Sequence, residues 1–131
     1  MSNVMNNSQI THKIIGCAYK VYNKLGFGFL ESVYKKAMII ELSKSNLKTE
    51  EEQPLKVYYD SQAVGEFYAD LFVEDKIVVE LKSVQSLAKE HAVQLVNYLN
   101  GLEKDIGLLI NFGPSEVEIK IKNPINPVNP V

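Results

Sequence analysis

No stretch of this chain limits its fold more than Ile77-Val78-Val79-Glu80-Leu81-Lys82. An unbroken β-branched run of this kind suits a strand covered on both faces, near the centre of a sheet. It ends, however, in two charges. Period-2 alternation sends Glu80 and Lys82 to one face and Leu81 to the other. Buried charges are normally paired or metal-bound, so the layer covering that face has to open at this end of the strand. Residues 63–73 read as a neighbouring strand that returns through a tight turn at Glu74-Asp75. Pairing about that turn brings Asp70 beside Glu80.

The rest of the chain supplies the covering layers. Ser8 is a candidate cap for a helix in which Ile10, Ile14, Ala18, Val21 and Leu25 recur at helical spacing, and Gly26 stops it. A second helix spans residues 30–45, with Leu30, Val33, Tyr34, Ala37, Met38 and Leu42 as its buried stripe. Glu31 lies at the edge of that stripe and Glu41 inside it. A strand at 54–59 meets a turn at Asp60-Ser61-Gln62. A third helix covers 86–101, on the stripe Ala88, Ala92, Leu95 and Leu99. Strands follow at 106–112 and 116–122, the latter alternating Val117, Ile119 and Ile121 with Glu118, Lys120 and Lys122. Residues 1–7 and 123–131 read as extended termini. The order is ααβββαββ, a single α/β domain over 1–131 with a mixed central sheet flanked by helices.

Composition narrows the chemistry. With 131 residues, 46% of them hydrophobic, one domain can build a core without disulfides or a structural metal. Cys17 stands alone, which excludes a disulfide framework, a zinc site built on paired cysteines and a cysteine-ligated cluster. No apolar run approaches the roughly 20 residues of a membrane helix, so a cytoplasmic setting and no membrane partner are expected. The net charge of −2 gives no overall nucleic-acid footprint, but its distribution is uneven. Lys13, Lys20, Lys24, Lys35 and Lys36 face only Glu31 among residues 8–40, whereas acids dominate 50–80. A basic helical layer beside an acidic strand region suits attraction of phosphate by one part and of a cation by the other. There is no Arg, so phosphate contacts fall to lysine point charges.

Asp70 and Glu80 offer hard oxygen ligands for Mg²⁺ or Mn²⁺, and the Leu81 carbonyl offers another. Lys82 then reaches the attacking water or a phosphate. Gln94 and Tyr98, one helical turn apart, share a face with His91 close by. These residues resemble a known family. Gly28-Phe29-Leu30-Glu31-Ser32-Val33-Tyr34 is similar to the G-x-x-E-x-x-Y signature of the GxxExxY proteins. Asp70 with Glu80-Leu81-Lys82 resembles the D…E-x-K core of the PD-(D/E)XK nuclease superfamily, although Ala69 replaces the usual proline. Gln94-Leu95-Val96-Asn97-Tyr98 resembles the Q-x-x-x-Y motif of its RecB-like branch. The resemblance covers almost everything from Ile10 to Phe112.

It implies a restriction-endonuclease-like domain in which Asp70, Glu80 and the Leu81 carbonyl bind metal and Lys82 is catalytic. Glu31 would be a further acid near the metal, and Gln94 and Tyr98 would steady Lys82 or touch the phosphate backbone. Lys13, Lys20 and Lys24, extended by Lys35 and Lys36, would carry nucleic acid, expected to be DNA. Two functions stay open: metal-dependent hydrolysis of DNA phosphodiesters, or a non-catalytic module that binds nucleic acid or protein on the same fold. The domain has no room for a separate DNA-recognition unit, so a homodimer or a protein partner would have to supply one.

Overall fold

The computed structural model describes residues 4–52 and 54–124; the expectation of extended termini at 1–3 and 125–131 lies outside them. Two helices come first, α1 (Asn7–Leu25) and α2 (Glu31–Lys44). Five strands follow: β1 (Thr49–Glu51), β2 (Pro54–Tyr59), β3 (Gln62–Tyr68), β4 (Leu71–Val73) and β5 (Ile77–Lys82). The chain continues through α3 (Lys89–Leu102), β6 (Ile106–Phe112) and β7 (Val117–Lys122). The α/β architecture is the expected one, with two more strands before α3 than the apolar pattern shows. Strand β1 was hidden because Thr-Glu-Glu carries no hydrophobic alternation. The single strand expected over 63–73 divides at Ala69-Asp70, where the chain leaves one sheet and enters another.

The main sheet has the order β1-β4-β5-β6-β7, with β5 and β6 parallel and the other pairs antiparallel. Strands β2 and β3 form a separate hairpin. Its connection, Asp60-Ser61, takes positive φ at both residues (49° and 64°), the two-residue turn whose twist matches the strands it joins. Glu74 and Asp75 also take positive φ (55° and 56°), which closes the β4–β5 turn where the sequence places it.

Alternation along the strands builds two cores. Ile77, Val79 and Leu81 of β5 join Leu108 and Ile110 of β6 under Ile14, Ala18 and Val21 of α1 and Tyr34, Met38 and Leu42 of α2. Val78 and Leu109 face the other way, with Phe72, onto Leu95 and Leu99 of α3 and onto Phe67 of the hairpin. Helix α1 starts two residues earlier than a Ser8 cap would place it. Asn6 caps it, accepting from the Gln9 amide at 2.8 Å, while Gln9 Oε1 accepts from the Asn6 amide at 2.9 Å. Leu30 and Val33 leave the expected α2 stripe for the surface, because Leu30 precedes the first helical turn.

Candidate metal centre

Asp70 immediately precedes β4, and the register Leu71↔Val79 carries on to set it opposite Glu80. Two backbone amides then hold the two carboxylates. The Asp70 amide donates to Glu80 Oε1 at 3.0 Å, and the Leu81 amide donates to Asp70 Oδ2 at 2.8 Å. Each carboxylate is thus fixed by one oxygen to the neighbouring backbone, which leaves its second oxygen for a ligand. Both lie on the Val78 face of the sheet, the face that α3 covers, and Lys82 follows by alternation. The cover opens there because α3 begins only at Lys89 and its buried residues start at Leu95.

The electrostatics follow from this placement. Burial pushes the Glu80 carboxyl up from 4.5 to about 7, and the Asp70 charge adds to the rise. The hydrogen bond from the Asp70 amide and the Lys82 ammonium pull the other way, and Glu31 raises it further. Glu31 and Lys82 are therefore within electrostatic reach of the pair. A half-buried carboxylate held next to a second one is short of positive charge, which is the condition a cation relieves. Among the described residues, no three of the His, Cys, Asp and Glu side chains form a metal-sized cluster. Two carboxylates and one carbonyl fit a hexacoordinate ion that keeps waters and takes phosphate oxygens, rather than one enclosed by protein.

Two supports hold this end of the sheet: Tyr34, already placed in the buried stripe by the sequence, and Asn111, to which the sequence assigns no role. Tyr34, fully buried and stacked on Phe112 at 4.3 Å, donates its hydroxyl to the Gly26 carbonyl and accepts from the Phe29 amide at 3.4 Å. It secures the loop in which Gly28 takes φ +114°, a conformation L side chains rarely adopt. That loop leads straight into Glu31. Ser83 Oγ then donates to the Phe29 carbonyl at 3.0 Å, tying the loop to the end of β5. The second support is Asn111, 0% exposed and the register partner of Lys82. Its Oδ1 accepts from the Val84 amide at 2.8 Å, and its Nδ2 donates to the Val84 carbonyl at 2.9 Å and to Glu118 Oε1 at 2.8 Å. A polar residue inside the apolar run of β6 was the available signal.

The remaining candidates are placed less centrally. Gln94 is exposed, beside Lys89, Glu90, Val93 and Asn97. The Tyr98 ring stacks on Phe67 at 3.9 Å and 20°. Among the described residues neither hydrogen-bonds to Asp70, Glu80 or Lys82. His91 Nδ1 accepts from the Ala88 amide at 3.2 Å, closing the start of α3. Lys35 is paired with Glu51 and Glu52, and its pKa is raised chiefly by the hydrogen bond to Glu52, with Asp70 contributing. Lys36 is exposed. Helix α1 packs on the sheet face opposite the carboxylates, so Lys13, Lys20 and Lys24 stand across the sheet from them. Lys24 lies 3.6 Å from the buried Glu41, and Lys13 Nζ donates to the Ser45 carbonyl at 3.5 Å.

Comparisons with known proteins bear on the fold and the family. The crystal structure of SSO0001 matches with a TM-score of 0.55 at 22% identity, over 91% of this chain and 60% of that one. This chain therefore spans less than two thirds of that protein, and the likeness is one of fold. No curated protein matches significantly. Among the described residues no helix is long and apolar enough to cross a membrane. The sequence profile of the PD-(D/E)XK nuclease superfamily, whose members generally use divalent metals, matches residues 8–123, and this chain belongs to that superfamily.

Proposed function

We propose that this domain hydrolyses DNA phosphodiester bonds with a divalent cation, Mg²⁺ or Mn²⁺, held by Asp70, Glu80 and the Leu81 carbonyl. The observation that supports this reading is the pair of hydrogen bonds that hold the Asp70 and Glu80 carboxylates on adjacent backbone, opposite one another and on the sheet face of Lys82. The cation would polarise the phosphoryl oxygen and lower the pKa of the attacking water. Lys82 orients that water or neutralises the phosphate, and Glu31 is the further acid at the rim. Gln94 and Tyr98 steady Lys82 or contact the backbone of the substrate. Lys35 and Lys36, near Glu31, receive phosphates, and Lys13, Lys20 and Lys24 extend the contact around the domain. The single Cys17 and absence of paired cysteines suit a reducing, cytoplasmic setting.

One observation favours the non-catalytic alternative: among the described residues, Gln94 and Tyr98 make no hydrogen bond to the carboxylate–lysine group. Calorimetric titration of Mn²⁺ into the wild type and Asp70→Ala, followed by a cleavage assay on labelled DNA, separates the two functions. Binding that disappears in Asp70→Ala together with cleavage by the wild type supports hydrolysis. Binding without cleavage of any DNA or RNA substrate makes the domain a binding module.

A further inference from the structure

Register carries the row of the metal centre across the sheet. Glu80 pairs with Leu109, and Leu109 pairs with Lys120. Directly paired residues share a sheet face. Lys120 therefore stands on the face of the carboxylates, two strands and roughly 10 Å away between Cα atoms. Lys122, two residues on, shares that face. Both lysines line a groove of about 330 Å³ between β7 and the first turns of α3. Ala92, Val93 and Leu109 lie along its floor, and Lys89 joins its rim. Among the described residues no acid lines it, in a chain with 16 acids against 14 lysines. None of the three lysines makes an ion pair among those residues either. The acid of β7 on this face, Glu118, instead accepts from Asn111 Nδ2 at 2.8 Å.

What the groove takes follows from its place and its walls. Lys13, Lys20 and Lys24 stand across the sheet from the carboxylates, whereas these three lysines are on the same side. Leu109, between Glu80 and Lys120, is 1% exposed and packed with Leu87 and Leu95. A strand running from the carboxylates to β7 therefore crosses the start of α3, where Lys89 is exposed. Three ammonium groups with no acid among them favour a polyanion. The apolar floor, with Val93 57% exposed, favours one that also lays down the flat face of a base or sugar. A duplex keeps its base faces stacked inside and shows only their edges. A single strand offers phosphates and base faces together. We propose that this groove holds a single strand of nucleic acid continuing from the metal centre. Its phosphates meet Lys89, Lys120 and Lys122, and its bases or sugars cover Ala92 and Val93. The assignment rests on the reading of Asp70 and Glu80 as a nucleic-acid site, and it makes the substrate of that site single-stranded.

The probe is a fluorescent oligo(dT), titrated into the full chain in EDTA and followed by anisotropy, so that no cleavage intervenes. Replacing Lys89, Lys120 and Lys122 together by Gln should weaken binding by about tenfold or more. It should also flatten the log–log salt slope by roughly two units, at about 0.7 for each phosphate on a single strand. The same three positions changed to Arg should bind as the wild type does. In the wild type, bound oligo(dT) should slow acetylation of these three lysines but not of Lys76, which is exposed at the β4–β5 turn. That readout needs no variant to fold. An unchanged slope with unprotected lysines would overturn the proposal. So would tighter binding of a duplex of equal length, or displacement of oligo(dT) by a Val–Glu peptide at equal charge. The metal centre is tested separately. A wild type that binds through these lysines yet cleaves nothing removes hydrolysis and keeps the groove, whereas cleavage of single strands with unaltered KM in the Gln variant removes the groove and keeps hydrolysis.

Discussion

Under α1 and α2 the sheet is dry: Ile77, Val79 and Leu108 are 0% exposed and Leu81 1%. Under α3 the same strands begin in the same way, with Val78 at 0% and Leu109 at 1%, and then turn charged within one alternation step at Glu80 and Lys82. The two faces differ in how far their helices reach. Helices α1 and α2 supply buried side chains along the length of β5, whereas α3 starts late and leaves the strand's end open. One strand therefore builds core on one side and ends in charges on the other, using alternate residues. Adjacent positions should then fail in different ways.

The largest effect is expected at Lys82. Its replacement by Ala should lower the cleavage rate by roughly 10²–10³-fold, the usual cost of removing one group that stabilises charge in the transition state. Mn²⁺ affinity and the urea midpoint should stay near wild type; a lysine variant that loses metal as well would mean that the residue holds the site together. One residue away, Leu81→Ala should do the reverse. Emptying a fully buried leucine costs roughly 2–5 kcal/mol of folding free energy, measurable by urea titration, while the backbone carbonyl at 81 still serves the cation. Selective loss of metal in a stable Leu81→Ala protein would break the contrast between the faces.

A smaller effect tests the open face by pH. Glu80 has its carboxyl raised from 4.5 to about 7 in the folded chain. Between those values the native state binds more protons than the unfolded one, so metal-free stability should fall as pH rises through that window. Metal binding needs the carboxylate, so near pH 6 it should release close to one proton, read by calorimetry in buffers of different ionisation enthalpy. Glu80→Gln should flatten the stability profile there, and a profile that remains steep would assign it to another group. The smallest effect concerns the covered face. Replacing Lys20 and Lys24 with Gln should flatten the log–log salt slope of DNA binding by roughly two units. An unchanged slope would confine the nucleic acid to the carboxylate side of the sheet.

The parts legible in the sequence are those governed by local periodicity. Strand β6 has the expected limits, β5 the expected end, and the turn at Glu74-Asp75 sets Asp70 opposite Glu80 because register about a tight turn is arithmetic. The parts that were not legible depend on where the chain goes next. Nothing local marks the step between sheets at Ala69-Asp70, since both sides of it read as strand. The roles of Tyr34 and Asn111 depend on backbone groups of loops, at Gly26 and Val84, whose paths only the tertiary structure sets. The lysine row on α1 was read from one helix face, and its position across the sheet follows from which core that helix joins.

The unusual carboxyl of Glu80 also bears on how such a domain changes over generations. A Gln at that position keeps the shape and removes a charge that the folded chain holds at a cost, so under the proposed function the substitution would extinguish cleavage while making the protein hardier. Selection for stability alone pushes towards the inactive form, and only continued demand for the reaction opposes it. A lineage released from that demand would drift to a sturdy, silent descendant in a single step. Its ancestry would remain plain in Val78, Val79 and Leu81, which the core still requires.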